Sequence, residues 1–334
     1  MKIFSYLFAA VVVTAITACS RPLNSEEIYQ KVASGVVLIV NDYYYSVTLP
    51  TGEELYFTDV DDEGRVSGLT DDAGEAYAHS NVATGTGFFI TTDGQIMTNH
   101  HVARPEVSES NVKLFLRGVK KVIKSSYQER INELTQQFHA YAGQDAMQAQ
   151  IYQRYQAYQR ALESVDDMDM SESDIHIHSK LYVVYNNQHV LSYDDMAPCD
   201  FVAVANDGVD LAIIQLEDGT TPEDAHVFSL RDEAADKPLT LDQKLYMIGF
   251  NRGFTIGKTS SGEVQSQIYS GNVTQRGDGE SILYSIPSLH GSSGSPVVNE
   301  YGFLVAVNYA GYDGTQGFNY GIPSKKIRQF LQEY

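Results

Sequence analysis

Gly85-Thr86-Gly87-Phe88-Phe89-Ile90-Thr91-Thr92-Asp93-Gly94-Gln95-Ile96-Met97-Thr98-Asn99-His100-His101-Val102 is the stretch on which the reading of this chain turns. Two short apolar runs, 87–90 and 95–98, flank Asp93-Gly94, whose residues suit a tight turn, so the segment reads as paired strands. The second strand empties into two histidines. Outward from it the pattern repeats. Apolar runs at 35–40, 112–116, 181–185, 201–205, 211–216, 244–250, 271–274, 281–286, 296–298 and 303–309 are separated by Gly, Asn and Asp. Short strands with turn residues between them predict an all-β chain, a sandwich or barrel. No internal repeat is visible.

One segment breaks this pattern. Tyr127, Ile131, Leu134, Phe138 and Tyr141 alternate steps of four and three, and after Gly143 the series resumes as Met147, Ile151, Tyr155, Tyr158, Leu162 and Val165. That spacing predicts a pair of helices joined near Gly143, or one long interrupted helix, as an insertion over about 125–167. A Gln- and Tyr-rich helical face serves packing, a partner or self-association rather than a cofactor. Near the start, Asn24 or Ser25 is placed to cap a short helix with Glu26 and Glu27 in its first turn.

The chain has 334 residues with 23 Lys and Arg against 43 Asp and Glu, a formal charge of −20. Binding nucleic acid through a basic surface is therefore not expected. A hydrophobic share of 43% with 26 Gly and 9 Pro excludes disordered and collagen-like classes. Only Cys19 and Cys199 exist, and Cys199 lies in Ala197-Pro198-Cys199-Asp200 with no His at a telling spacing, so it reads as a buried thiol.

Two further motifs carry chemistry. Asp210-Leu211-Ala212-Ile213-Ile214 puts a carboxylate at the mouth of an apolar strand, and Gly291-Ser292-Ser293-Gly294-Ser295-Pro296 frames a serine with glycines that permit a sharp turn. Each alone has a bland reading: a structural His, an Asp that caps a turn, a common Gly-Ser loop. Together they give His, Asp and Ser in that order, each at a strand end of an all-β chain.

That constellation resembles the trypsin-like serine proteases, and most nearly the protease domains of HtrA-type enzymes. Thr98-Asn99-His100-His101-Val102 is similar to the family's Thr-x-x-His-Val, which selects His101. Asp210 and Ser293 match the Asp of Asp-(Leu/Ile)-Ala-(Ile/Leu) and the Ser of Gly-x-Ser-Gly. Ile248-Gly249-Phe250, Asn308 and Gly321-Ile322-Pro323-Ser324 extend the agreement. The resemblance implies two antiparallel β-barrels of the chymotrypsin type, the helical insertion lying between His101 and Asp210, and a short C-terminal helix. A further acidic loop insertion is expected over about 42–81.

It also implies a serine endopeptidase acting on protein or peptide substrates. In it Ser293 attacks, His101 takes and returns the proton, Asp210 fixes the imidazole, and the N–H groups of Gly291 and Ser293 receive the oxyanion. No cofactor is required. Pro287, His290 and Asn308 are the expected substrate-binding positions. Pro287 stands where enzymes preferring Lys or Arg hold an acidic residue, and Asn308 where glutamyl endopeptidases hold a His, so small or apolar side chains are expected. The competing reading is a catalytically silent, protease-like scaffold that binds a partner.

Metal sites are not expected. Asp59, Asp61, Glu63 and Gly64 superficially resemble a calcium loop, but its twelfth position is Thr70, and His176 and His178 share a strand face without nearby thiols. Lys2 followed by an uncharged stretch, 3–20, reads as an export signal. Its end, Ile16-Thr17-Ala18-Cys19, resembles a bacterial lipobox. The expectation is a signal peptide over 1–19, lipidation at Cys19, a protease domain over 20–334, and a membrane-anchored lipoprotein of the cell envelope. Ser20, not being Asp, favours the outer membrane.

Overall fold

The computed structural model describes residues 21–61, 63–206, 208–229, 238–311 and 319–334. The signal peptide and Cys19 lie outside the described residues. Helix α1, Ser25–Val32, begins with a capping box: Glu27 N–H donates to Asn24 Oδ1 and Asn24 N–H to a Glu27 carboxylate oxygen, each at 3.0 Å. Ile28 and Val32 then bury one face of it.

Six strands follow, β1 (Val36–Thr48), β2 (Asn81–Phe89), β3 (Gln95–Thr98), β4 (Asp174–Tyr185), β5 (Ala197–Val204) and β6 (Ala212–Leu216). They pair antiparallel in the order β1-β2-β3-β6-β5-β4, and β4 returns to β1, which closes a barrel. The second six are β7 (Lys244–Gly249), β8 (Gln267–Asn272), β9 (Ile282–Tyr284), β10 (Pro296–Asn299), β11 (Leu304–Gly311) and β12 (Asn319–Pro323). Their order is β8-β7-β10-β11-β12-β9, and a bridge between Val273 and Tyr284 draws the two ends together. The fold is all-β, two antiparallel barrels of the chymotrypsin type. Helices α2, Glu109–Ala140, and α3, Asp145–Asp167, are the inserted pair, and helix α4, Ser324–Glu333, follows the last strand.

The unbroken apolar run at the start of β1 has a physical cause. Val37 and Ile39 point into the first barrel, while Val36, Leu38 and Val40 join Tyr246, Ile248, Phe250 and Val298 in a cluster shared by both barrels. A strand buried on both faces loses its polar alternation. The same holds for β7, whose Leu245 and Met247 face the second barrel's interior.

Two boundaries differ from the sequence reading. The run 112–116 is not a strand: it belongs to α2, Glu109–Ala140, which pairs with α3, Asp145–Asp167, so the insertion starts well before 125. Val112 and Leu116, four apart, are buried against Tyr45, Val47 and Phe57, while Leu114 is 63% exposed. Five residues of Val-Lys-Leu-Phe-Leu fit a period of 2 as well as one of 3.6. The second difference is β1, which runs to Thr48, so the acidic insertion begins after it and holds the strand Glu54–Phe57 and the short helix Ala73–Ala78. Tyr43 to Thr48 stay extended because β4 pairs with them throughout.

Candidate active site

His101 and Asp210 come from the first barrel, at the end of β3 and just before β6. Antiparallel pairing of these strands sets Ala212 opposite Thr98, which brings the two residues together. His101 Nδ1 and Asp210 Oδ2 are 2.6 Å apart, and the backbone N–H of His101 donates to Asp210 Oδ1 at 3.0 Å. Both carboxylate oxygens are thus committed to His101. Asn99, fully buried, donates to the Asp210 carbonyl at 2.7 Å and fixes its backbone. His100 faces away, toward Glu106 at 3.5 Å.

The serine loop lies at the edge of the second barrel, between β9 and β10. Its turn Gly291–Pro296 holds three serines, and the structure separates them. Ser295 is fully buried, and Ser292 is 1% exposed with its hydroxyl against Leu289 O at 2.6 Å and Ser288 Oγ at 2.7 Å. Ser293 is half-buried and reaches the surface. Thr86 stitches this loop to the first barrel: its N–H donates to Ser293 O and its Oγ1 to Gly291 O, both at 2.8 Å. Gly294, at φ +86°, completes the seam, since a Cβ there would lie 2.0 Å from Thr86 O and 2.5 Å from Thr98 Oγ1. Thr98 is three residues before His101, and Gly294 one after Ser293. No hydrogen bond joins His101 Nε2 to Ser293 Oγ; such contacts are commonly loose without substrate.

The loop's N–H groups divide in the same way. Those of Ser292, Gly294 and Ser295 donate to Leu289 O, Asn308 O and Ser292 O. Those of Gly291 and Ser293 have no acceptor among the described residues. Unpaired backbone donors are rare where the chain is buried, and these two are the expected oxyanion pair. Their orientation has a cause. The His290 carbonyl accepts from Arg252 N–H at 2.6 Å, and in a planar trans peptide the Gly291 N–H then points the opposite way.

Arg252 holds that peptide from a left-handed conformation, φ +61°. Arg252→Pro removes the N–H donor and cannot adopt this φ. It is expected to lower kcat by about 10²–10³ with little change in KM, the loss typical of one oxyanion donor. Arg252→Gly, which retains the N–H and the φ, is expected to stay near wild type in the same assay.

Behind the serine loop lies a small neutral network of Tyr284, Ser288, Ser292 and Asn308. Asn308, 1% exposed, donates to Ser288 Oγ and Ser292 O at 3.1 Å and accepts from Tyr284 OH at 2.8 Å. Pro287 and His290 are exposed on the loop. Burial pushes the Tyr309 phenol up, with Tyr320 and Asp210 adding to the shift. Cys199 stands apart, buried in the first barrel, its thiol pushed up to about 12 by burial and then by Asp200, Glu217 and Asp218. A thiol so rarely ionised is a poor nucleophile. The carboxylates of Asp61 and Glu63 are both bound by Arg65, and His178 stacks on Tyr44 with centroids 4.7 Å apart. Among the described residues no group of three or more His, Cys, Asp and Glu could hold a metal.

Sequence reasoning missed Thr86 and Arg252. Thr86 had a visible signal, a polar residue between two glycines just ahead of the apolar run Phe88-Phe89-Ile90. Arg252 had none, because it acts through its backbone.

Two barrels, a His–Asp pair on one and a glycine-framed serine on the other, define the class of trypsin-type proteases. Residues 85–307 match the family model of the trypsin-like peptidase domain, and the chain belongs to that family. No curated protein matches it in sequence. Among solved structures, the serine endoprotease from Yersinia pestis is similar, with a TM-score of 0.46 at 12% identity over 94% of this chain and 67% of that one.

Proposed function

We propose that the protein is a serine endopeptidase that cleaves peptide bonds through an acyl-enzyme. Ser293 attacks the carbonyl carbon while His101 takes its proton; Asp210 holds the imidazole, and the N–H groups of Gly291 and Ser293 receive the charge on oxygen. His101 then protonates the leaving amine, and water releases the acyl group by the same route. The observation that carries this reading is the pair of unpaired N–H groups, at Gly291 and at the accessible Ser293, in a turn where those of Ser292, Gly294 and Ser295 are satisfied. Ser288 and Asn308, hydrogen-bonded to each other behind the serine turn, are neutral, which supports uncharged, small or apolar side chains on the acyl side.

A fluorophosphonate probe tests it. The purified chain is expected to form one adduct, mapped by mass spectrometry to Ser293. A folded protein that stays unlabelled would instead be the silent scaffold, which the open His101–Ser293 link favours. Export and anchoring rest on 1–19 alone. Palmitate labelling of the expressed protein, lost in Cys19→Ser, is the expected result; labelling that persists in that variant sinks the lipid anchor.

A further inference from the structure

Helix α2 packs on the first barrel's Tyr45, Val47 and Phe57 through Val112 and Leu116. At about 100° per residue its opposite side carries Leu114, Gly118, Lys121 and Ser125. Nothing among the described residues covers that side. Leu114 is 63% exposed and Val122 69%, Arg117 and Lys121 are exposed beside them, and open space stands where a Cβ on Gly118 would lie.

The charge along this side runs against the rest of the molecule. In a chain with 43 acidic and 23 basic residues, the stretch 110–128 holds Lys113, Arg117, Lys120, Lys121 and Lys124 and no Asp or Glu. By the helical period the cations fall to one side of Leu114, and Val122 falls to the other. Three of them are engaged: Lys113 lies 3.4 Å from Glu109, Lys120 donates to Asp166 O at 2.8 Å and Met168 O at 2.5 Å, and Lys124 pairs with Asp166. Arg117 and Lys121 have no ion pair among the described residues, and Asp169, whose field reaches Arg117, is itself hydrogen-bonded to Ser171.

We infer that this face of α2 docks on an anionic lipid surface. A bilayer presents phosphate charge and, just beneath it, hydrocarbon along one plane, so it meets the cationic flank and the apolar flank of a helix lying flat without needing a shaped recess. No helix among the described residues is long and apolar enough to cross a membrane, so the contact is lengthwise. Nucleic acid would use the cations alone and leave Leu114 and Val122 in water. The acidic body is no obstacle, because charges more than about 10 Å from the surface are screened at about 0.1 M salt. The inference concerns the insertion and stands whether or not Ser293 is reactive. Because Val112 and Leu116 fix α2 to the barrel that carries His101, docking also sets how the cleft faces the bilayer.

The chain has no tryptophan, so a single one can serve as the reporter. Full chains with Val122→Trp are mixed with vesicles of phosphatidylcholine, or of equal parts phosphatidylcholine and phosphatidylglycerol, each holding brominated lipid as quencher. Every sample keeps the same N-terminus, so whatever 1–19 contribute is common to all. The tryptophan is expected to shift to the blue and be quenched on the phosphatidylglycerol vesicles alone, and Leu114→Trp should repeat this from a second exposed position. Leu191→Trp, at a residue 80% exposed but followed closely by Asp194 and Asp195, should stay unquenched. Each cation close to such a surface adds about fivefold to binding, so Arg117→Gln with Lys121→Gln should weaken docking about 25-fold and remove the quenching. The inference is overturned if neither α2 reporter is quenched on phosphatidylglycerol, if Leu191→Trp is quenched equally, or if quenching survives the double Gln variant. Equal quenching on neutral vesicles overturns it too, as does a blue shift that needs no lipid: one that rises with protein concentration assigns the face to a second copy, and one produced by duplex DNA assigns it to nucleic acid.

Discussion

Ser293→Ala is expected to lower kcat by about 10⁶, the scale of removing the nucleophile in subtilisin, with the urea midpoint nearly unchanged. The side chain is half-buried and its hydroxyl has no hydrogen-bond partner among the described residues, so folding gains little from it. Ser292→Ala has the opposite profile. That hydroxyl contacts Ser288 Oγ, Leu289 O and Asn308 Nδ2 inside the protein. Removing it orphans buried groups, at a cost of about 1–3 kcal/mol, and leaves the nucleophile in place. Adding His101→Ala to Ser293→Ala should cost almost nothing more, since residues acting as one unit are not additive. Turnover of a fluorogenic peptide, beside urea unfolding of each variant, separates these outcomes. Activity kept by Ser293→Ala would end the assignment.

How much of this was written in the chain depends on the range of the interactions involved. The all-β class was legible because the strands are short apolar runs with turn residues between them, while the two barrels came only from the resemblance of the local motifs to a known family. The order His101, Asp210, Ser293 was legible because each lies in a local motif. The start of α2 was not: Val112 to Leu116 are too few to distinguish helix from strand, and only Ser108, which accepts from Asn111 N–H, marks the cap. Nor did local sequence reveal that β1 keeps its pairing to Thr48, because its partner His176 is 130 residues away, opposite Ser46. The Arg252 contact with His290 is equally hidden. It joins two backbones across a long separation and asks nothing of the arginine side chain.

Asp210→Asn is expected to lower kcat by about 10⁴, the loss that the same exchange produces in trypsin, and the hydrogen bonds here give the reason. Both oxygens of Asp210 accept from His101, Oδ1 from the backbone N–H and Oδ2 from Nδ1. An asparagine offers one acceptor and one donor. The backbone N–H is always a donor, so it claims the amide oxygen. The NH₂ group then faces Nδ1, which can pair with it only when unprotonated. The imidazole proton moves to Nε2, the atom that must take the proton of Ser293, and the base is blocked while every heavy atom keeps its place. The expected signature is a fall in kcat with KM and Tm close to wild type, and ¹⁵N spectra of the imidazole that move the proton from Nδ1 to Nε2. Asp210→Ala leaves Nδ1 and the backbone N–H to water, allows either tautomer, and is expected to be no worse than Asp210→Asn. Were Asp210→Asn to keep wild-type kcat, the carboxylate would only be anchoring the backbone at His101, and the triad would reduce to His101 and Ser293.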